Sequence, residues 1–340
     1  MLARTKSWRL AVVFMLALLL LAGCGNNSDT GGENESTGTS GSSGSSPASS
    51  SQAAGSDADT IVYKDALDRE VTIPARPQRI VTTQYLPELL AVGVKPIGVV
   101  SHLLTGFVSV KDEIDGIEDI GPANEINLEK TLELQPDLII AADWDKDQLD
   151  KLQAIAPTVV VAWEGKDAFE HLDQVAALLG KKQEAQDWKK AFDEKAASAA
   201  EKLKAFVKPD ETFGVVVIGG YEKGQLRVYG SGNVGYTLFD ALGFPMTDVV
   251  KQEWEKGGHE LGIQLSLEKL PEFASADRLF LVKFDNDPDF ADQVLNSALW
   301  KKLPAVQNGH VYEVSDTLWF SYDVLSFDKQ LDDAIRLLAK

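Results

Sequence analysis

Apolar and polar positions along the chain fall into runs of two periods. Continuous apolar runs at 79–82, 96–100, 138–141, 158–163, 212–218, 226–229 and 310–314 read as strands. Segments at 87–92, 128–134, 169–179, 236–242 and 323–339 read as helices, several of them closed by a glycine or opened by a proline. One unit occurs twice. Asn127 to Ile140 (NLEKTLELQPDLII) and Ser266 to Val282 (SLEKLPEFASADRLFLV) each place a small capping residue before Leu-Glu-Lys, then a helical run, an aspartate (Asp137, Asp277) and an apolar strand. The repeat sets Glu129 and Glu268 at equivalent places and predicts two α/β lobes of similar construction. Near-continuous apolar strands point to parallel sheets covered on both faces. Between the lobes, 183–207 runs without Gly or Pro, with Trp188, Phe192, Ala196, Ala199, Leu203 and Phe206 at intervals of three and four. Such a helix is roughly 35 Å long, more than one small lobe needs, and it suits a bridge between lobes. The competing reading is a long surface helix of a single domain.

The first 59 residues follow a different pattern. Arg4, Lys6 and Arg9 precede the apolar run Leu10 to Ala22, which is short for a membrane span and ends at Leu21-Ala22-Gly23-Cys24. Residues 1–23 read as an export signal, and its last four positions with the cysteine resemble a lipobox, which implies a lipidated Cys24. The competing reading is a secretory signal with an incidental cysteine. Cys24 is the only cysteine, so an intramolecular disulfide or a cysteine-ligated metal site is excluded. Residues 24–59 are dominated by Ser, Gly, Asn, Thr and Ala, a composition that cannot bury enough surface to offset ordering, and they read as a flexible tether. The expected division is therefore 1–23 signal, 24–59 anchor and tether, 60–182 first lobe, 183–208 interlobe helix and 209–340 second lobe. A formal charge of −19, or −22 once the three signal cations are removed, argues against nucleic acid and against adhesion to anionic lipid. Location outside the cytoplasm, beside the membrane, is expected, and a long polar tether resembles lipoproteins of Gram-positive bacteria.

Six fragments together resemble a family. They are Arg79-Ile80-Val81, 89–99 (LLAVGVKPIGV), 119–122 (DIGP), the first copy of the repeat, Tyr229-Gly230 with 238–244 (LFDALGF), and 299–312 (LWKKLPAVQNGHVY). In this order and spacing the chain is similar to the substrate-binding lipoproteins of bacterial iron-siderophore importers, relatives of the cobalamin-binding proteins. The resemblance implies two Rossmann-like α/β lobes joined by a single long helix, a helical-backbone periplasmic binding protein fold. It also implies a monomer without enzymatic activity or cofactor that captures a ferric siderophore and delivers it to an ABC transporter permease driven by a cytoplasmic ATPase. Ferric citrate, a catecholate siderophore, heme and cobalamin are the alternative ligands. In the cobalamin-binding relatives, glutamates at the places of Glu129 and Glu268 dock onto the permease, and the same role is implied here.

In parallel α/β units the ligand lies beyond the carboxyl ends of the strands. In the first lobe that rule selects Tyr85, Trp144 and Trp163, from segments without Lys or Arg. In the second it selects Tyr221, Arg227, Tyr229, Trp254, Lys283, Phe284, Trp319 and Phe320. Few cations among many aromatics suit a hydroxamate complex better than a trianionic catecholate, and Arg227, with five donors, is the first choice for hydrogen-bonding the iron-chelating oxygens. Each aromatic has an equal claim to a place in the core. The four histidines, His102, His171, His259 and His310, are dispersed, with His171 expected on a solvated helix face. No metal ligand is expected, because a siderophore already fills the iron's shell. One rival motif remains: Gly230-Ser231-Gly232-Asn233-Val234-Gly235 satisfies the dinucleotide-binding G-x-G-x-x-G and carries the alternative of a nucleotide-dependent oxidoreductase. A surface lipoprotein with no small ligand is the third class.

Overall fold

The computed structural model describes residues 59–220, 222–259 and 261–340. The expected signal, Cys24, nearly all of the tether, and Tyr221 lie outside the described residues. The described chain starts with a hairpin, β1 (Thr60–Lys64) and β2 (Glu70–Pro74), and continues into two five-stranded sheets. The first contains β3 (Ile80–Thr82), β4 (Gly98–Val99), β5 (Glu118–Asp119), β6 (Leu138–Ala142) and β7 (Thr158–Val161), ordered β5-β4-β3-β6-β7 and parallel throughout. The second contains β8 (Phe213–Ile218), β9 (Leu226–Tyr229), β10 (Ile263–Gln264), β11 (Arg278–Lys283) and β12 (Val311–Val314), ordered β10-β9-β8-β11-β12. The strand order is the same in both sheets, so these are two α/β lobes of one plan. The second sheet departs from the expected parallel character: β9 pairs antiparallel with both β8 and β10. The link 219–225 is too short for the crossover of a dozen or more residues that a parallel neighbour requires.

The sequence repeat has a physical counterpart. Asp137 accepts the backbone N–H groups of Gln78 (2.7 Å) and Arg79 (2.9 Å) at the entry to β3, and Asp277 accepts the N–H (2.8 Å) and hydroxyl (2.9 Å) of Thr212 at the entry to β8. Each aspartate thus ties the strand of its unit, β6 or β11, to the first strand of the lobe's sheet, β3 or β8. The helix starts differ. Asn127 caps the helix Leu128–Glu133 by accepting from Lys130 N–H, whereas Leu267–Lys269 forms a single tight turn before the short helix Leu270–Phe273.

The bridging helix spans Lys182–Leu203, and Ala185, Phe192, Ala196, Ala199 and Leu203 are its buried stripe. It stops short of the expected 207, leaving Phe206 exposed. The C-terminal helix Val324–Leu338 lies against it. Lys195 Nζ donates to Asp328 Oδ2 (2.8 Å) and Asp332 Oδ2 (2.9 Å), while Phe327, Leu331 and Ala334 join a core that also contains Leu172 and Ala176 of the first lobe and Phe213, Val215 and Phe280 of the second. Among the described residues no helix is long and apolar enough to cross a membrane.

Where the C-terminal helix meets the first lobe, two carboxyls are buried together. Glu88, in the first turn of the helix Leu86–Ala91, is pushed up to about 8 by burial and then by Asp323, and Asp323, the cap of Val324–Leu338, is itself pushed up to about 6 by burial. Asp323 accepts the amide (2.8 Å) and hydroxyl (2.6 Å) of Ser326, which favour its ionised form, so Glu88 is the group that stays protonated at neutral pH. A carboxyl raised in the folded state holds a proton that the unfolded chain has lost, so stability falls as pH rises from the ordinary 4.5 towards 8. Between pH 5 and 8 the protein is expected to lose a few kcal/mol relative to Glu88→Gln in urea unfolding, on the order of 1.4 kcal/mol per unit. Parallel pH profiles for the two proteins would show that Glu88 is ionised in the fold.

Candidate functional site

Between the lobes lies a cleft of about 720 Å³. Its first-lobe wall is the loop after β7, Trp163 to Asp167, together with Glu170. Its second-lobe wall consists of Ser231 to Asn233 with Trp254, Gly257, Gly258, His259 and Leu261, and Tyr322 borders it from the approach to the C-terminal helix.

The first wall is fixed from below. Asp143, just after β6, accepts the amides of Trp163 and Glu164 through one oxygen, both at 3.1 Å, and so pins the turn at the carboxyl end of β7. The Trp163 ring stacks on His171 at 4.1 Å and 20°, with Trp144 edge-on to it at 5.4 Å and Tyr85 at 6.0 Å. His171 is therefore fully buried, not on a solvated face, and burial holds it below the ordinary histidine range, so it stacks as a neutral ring. Asp167 opens the helix Ala168–Leu178 through a capping box with Glu170, and Lys166 is paired with Glu170 at 2.9 Å. Here the sequence reading missed a cation, because Lys166 lies three residues past the strand-end position that was considered.

The second wall depends on glycines. A Cβ on Gly230 would stand 2.6 Å from the Trp254 ring, and one on Gly262 (φ +84°) 2.7 Å from the Tyr229 ring, so both aromatics lie flat against bare backbone. Tyr229 packs between Trp254 (6.3 Å) and Phe320 (6.2 Å), and Phe320 is edge-on to Phe284 at 4.9 Å.

Against this frame the expected site residues separate. Trp163 borders the cleft, and Trp254 faces it from the other lobe. Trp144, 48% exposed, flanks Trp163 outside the cleft lining, and Phe320 is half-buried behind the second wall. Tyr85, Tyr229 and Trp319 belong to the core. The Tyr85 hydroxyl donates to Val161 O (2.8 Å), the Tyr229 hydroxyl to Leu261 O (2.9 Å) and Trp319 Nε1 to Asp333 Oδ2 (2.9 Å), and all three rings are buried. Arg227, 6% exposed, sits in β9 with Nε donating to Gln264 Oε1 across the β9–β10 pair at 3.3 Å. It is not among the described residues that line the cleft. Glu129 and Glu268 are both exposed on their helix starts.

The glycine motif has a different use from the one its spacing suggests. Its strand is the antiparallel β9, and the place an anion would take beneath the loop is filled by the Asp240 carboxylate, which accepts from Gly232 N–H (2.7 Å) and from the Ser231 hydroxyl. A Cβ on Gly235 would lie 1.9 Å from Gly230 O, so this glycine serves a tight chain crossing. The loop instead presents Ser231 to Asn233 to the cleft. Among the described residues no group of three or more His, Cys, Asp or Glu is placed to hold a metal ion.

The Periplasmic binding protein family model matches residues 80–318, a span that takes in both sheets, the bridging helix and both cleft walls. The chain belongs to this family. The iron(3+)-hydroxamate-binding protein YxeB of Bacillus subtilis is 32% identical to it over 98% of this chain and 97% of that one. A Bacillus subtilis FhuD-fold protein, described as the periplasmic binding component of a Fep/Fec-like ferrichrome ABC transporter, superposes with a TM-score of 0.72 at 30% identity over 82% of this chain and 100% of its own. Staphylococcus aureus SirA, solved with staphyloferrin B, superposes with a TM-score of 0.67 at 29% identity over 82% of this chain and 99% of its own.

Asp143→Ala should release two wall amides and cost about 1–3 kcal/mol in denaturant unfolding. Hydrogen exchange at Trp163 and Glu164 should rise with it. Unchanged exchange there would show that the loop is held by its own stacking alone.

Proposed function

We propose that this chain is the substrate-binding lipoprotein of an ABC importer, that it captures a ferric siderophore of the hydroxamate class between its lobes, and that it hands the complex to the membrane permease. The observation that carries this reading is the make-up of the cleft: one aromatic wall on each lobe, Trp163 and Trp254, and a single lysine, Lys166, already paired with Glu170, among Glu164, Asp167 and Glu170. A trianionic catecholate would meet net negative charge there, whereas a near-neutral hydroxamate complex brings its own iron shell and needs apolar faces with a few donors. The Bacillus relative named for iron(3+)-hydroxamate binding supports the same class. The iron is cargo held by the siderophore. A lipid anchor at Cys24, attachment outside the cytoplasm and action as a monomer belong to the same proposal.

The decisive experiment is a tryptophan-quenching titration with ferrichrome and ferrioxamine B against ferric enterobactin, ferric citrate, ferric staphyloferrin B and cobalamin. Micromolar or tighter binding of the hydroxamates alone is the expected result. Trp163→Ala and Trp254→Ala should each weaken it about tenfold, roughly 1.4 kcal/mol. Binding confined to citrate or to a catecholate would overturn the hydroxamate class.

Glu129 and Glu268 serve in this proposal as two separated docking charges on the permease. Both are exposed acids in a helix start, and Glu268 is held below the usual carboxylate range by its own backbone amide and by Ser266. Rim charges of this kind control encounter and register more than ligand affinity. The double variant Glu129→Arg with Glu268→Arg should bind ferric hydroxamate as the wild type does and yet fail to support hydroxamate-dependent growth. Normal growth with normal binding would return both residues to a helix-stabilising role.

A further inference from the structure

The cleft continues into a side chamber of about 250 Å³, with which it shares Asp167, Ser231, Gly232 and Tyr322. That volume is below the roughly 300–1,000 Å³ of a pocket for a whole small ligand, so the chamber suits an arm of a ligand whose body sits in the cleft. Packed aromatic rings line it: Tyr236 stacks on Phe327 at 4.4 Å, Phe169 lies 5.4 Å from Tyr236, and Tyr322 meets Phe327 edge-on at 5.8 Å. Its charges are of one sign. Asp167 and Asp240 line it with no lysine or arginine, and the neighbouring Lys166 is already on Glu170. Two phenols report the local field. Both tyrosine hydroxyls are held above their ordinary range, in each case by burial first; the largest charge contribution comes from Asp240 at Tyr236 and from Asp167 at Tyr322. Asp240 accepts from Gly232 N–H and Ser231, and Asp167 from Glu170 N–H at 2.8 Å, which leaves lone pairs on both carboxylates.

Resting on the hydroxamate reading above, we infer that this chamber is a specificity subsite for a primary ammonium on a flexible arm of the bound ferric complex, seated against Tyr236, Tyr322 and Phe327 and facing Asp167 and Asp240. An ammonium is the cation that ring faces and two carboxylates receive together. An anionic arm would be repelled by both aspartates, and a neutral polar arm would gain nothing from the ring faces. A hard divalent ion would need six or more oxygens that the aromatic walls do not supply.

The test compares two ligands with the same iron shell and backbone, ferrioxamine B, which ends in a protonated amine, and its N-acetyl derivative, which lacks that charge. Each is titrated by tryptophan quenching into the wild type and into Asp167→Asn with Asp240→Asn, where asparagine retains an acceptor for the loop and cap donors. The wild type is expected to bind the amine form about tenfold more tightly, and the ratio should fall to near one in the double variant and shrink with added salt in the wild type. Equal affinity for the two forms in the wild type, or a preference that persists in the double variant, would overturn the subsite while leaving the hydroxamate reading intact. Failure of both forms to bind the wild type would overturn the subsite, and the hydroxamate reading with it only if ferrichrome also fails to bind. Should the double variant fail to fold, the wild-type ratio still decides the matter.

Discussion

The packing of the C-terminal helix Val324–Leu338 along the bridging helix Lys182–Leu203 is the contact on which the cleft depends. Besides the cores that each lobe builds from its own residues, one cluster spans both. Phe192, Ala196 and Ala199 from the bridge meet Phe327, Leu331 and Ala334 from the end of the chain, and the same cluster reaches Leu172 in one lobe and Phe213 in the other. A close-packed seam of this kind resists continuous deformation, so the distance between the Trp163 and Trp254 walls is set by packing and not by a flexible linker. Lys195 adds a polar clamp across the two helices, with its ammonium shared between Asp328 and Asp332 one turn apart. The buried Glu88 and Asp323 belong to this seam, and they are the point at which its stability responds to pH.

Much of this architecture was legible in the sequence, and the physical reason is the repeat. An aspartate seven or eight residues after Leu-Glu-Lys anchors the first strand of each lobe, so Asp137 and Asp277 mark equivalent corners although the helices beside them differ in length. The continuous apolar runs gave the strands, because strands covered on both faces leave no polar alternation. The direction of β9 is also legible, since a link of the length of 219–225 is too short for a parallel crossover, whereas apolar character alone does not distinguish a parallel from an antiparallel strand.

The cleft was legible only in part. Two of the aromatics chosen from the sequence, Trp163 and Trp254, line the cleft. The same rule also proposed Tyr85, Tyr229 and Trp319, which the structure buries. An aromatic at a strand end satisfies either fate, and the choice is made by what packs on it from far away in the chain: Trp319 is covered by a helix that supplies Asp333 for its N–H. Lys166, Asp167 and Tyr322 come to the cleft through loop geometry that no periodicity encodes. The glycine motif was conspicuous, and its spacing reflects a tight crossing and an internal carboxylate that holds Ser231 to Asn233 against the cleft.

Trp163 stacked on buried neutral His171, opposed by Trp254 seated on Gly230, gives the cleft two apolar faces with little positive charge. The most direct test of that account is a crystal structure of the chain with ferrichrome bound. The account requires the iron-bearing core of the ligand to lie between Trp163 and Trp254, with no protein atom coordinating the metal. A ligand seated elsewhere, or iron coordinated by protein carboxylates or histidines, would contradict it.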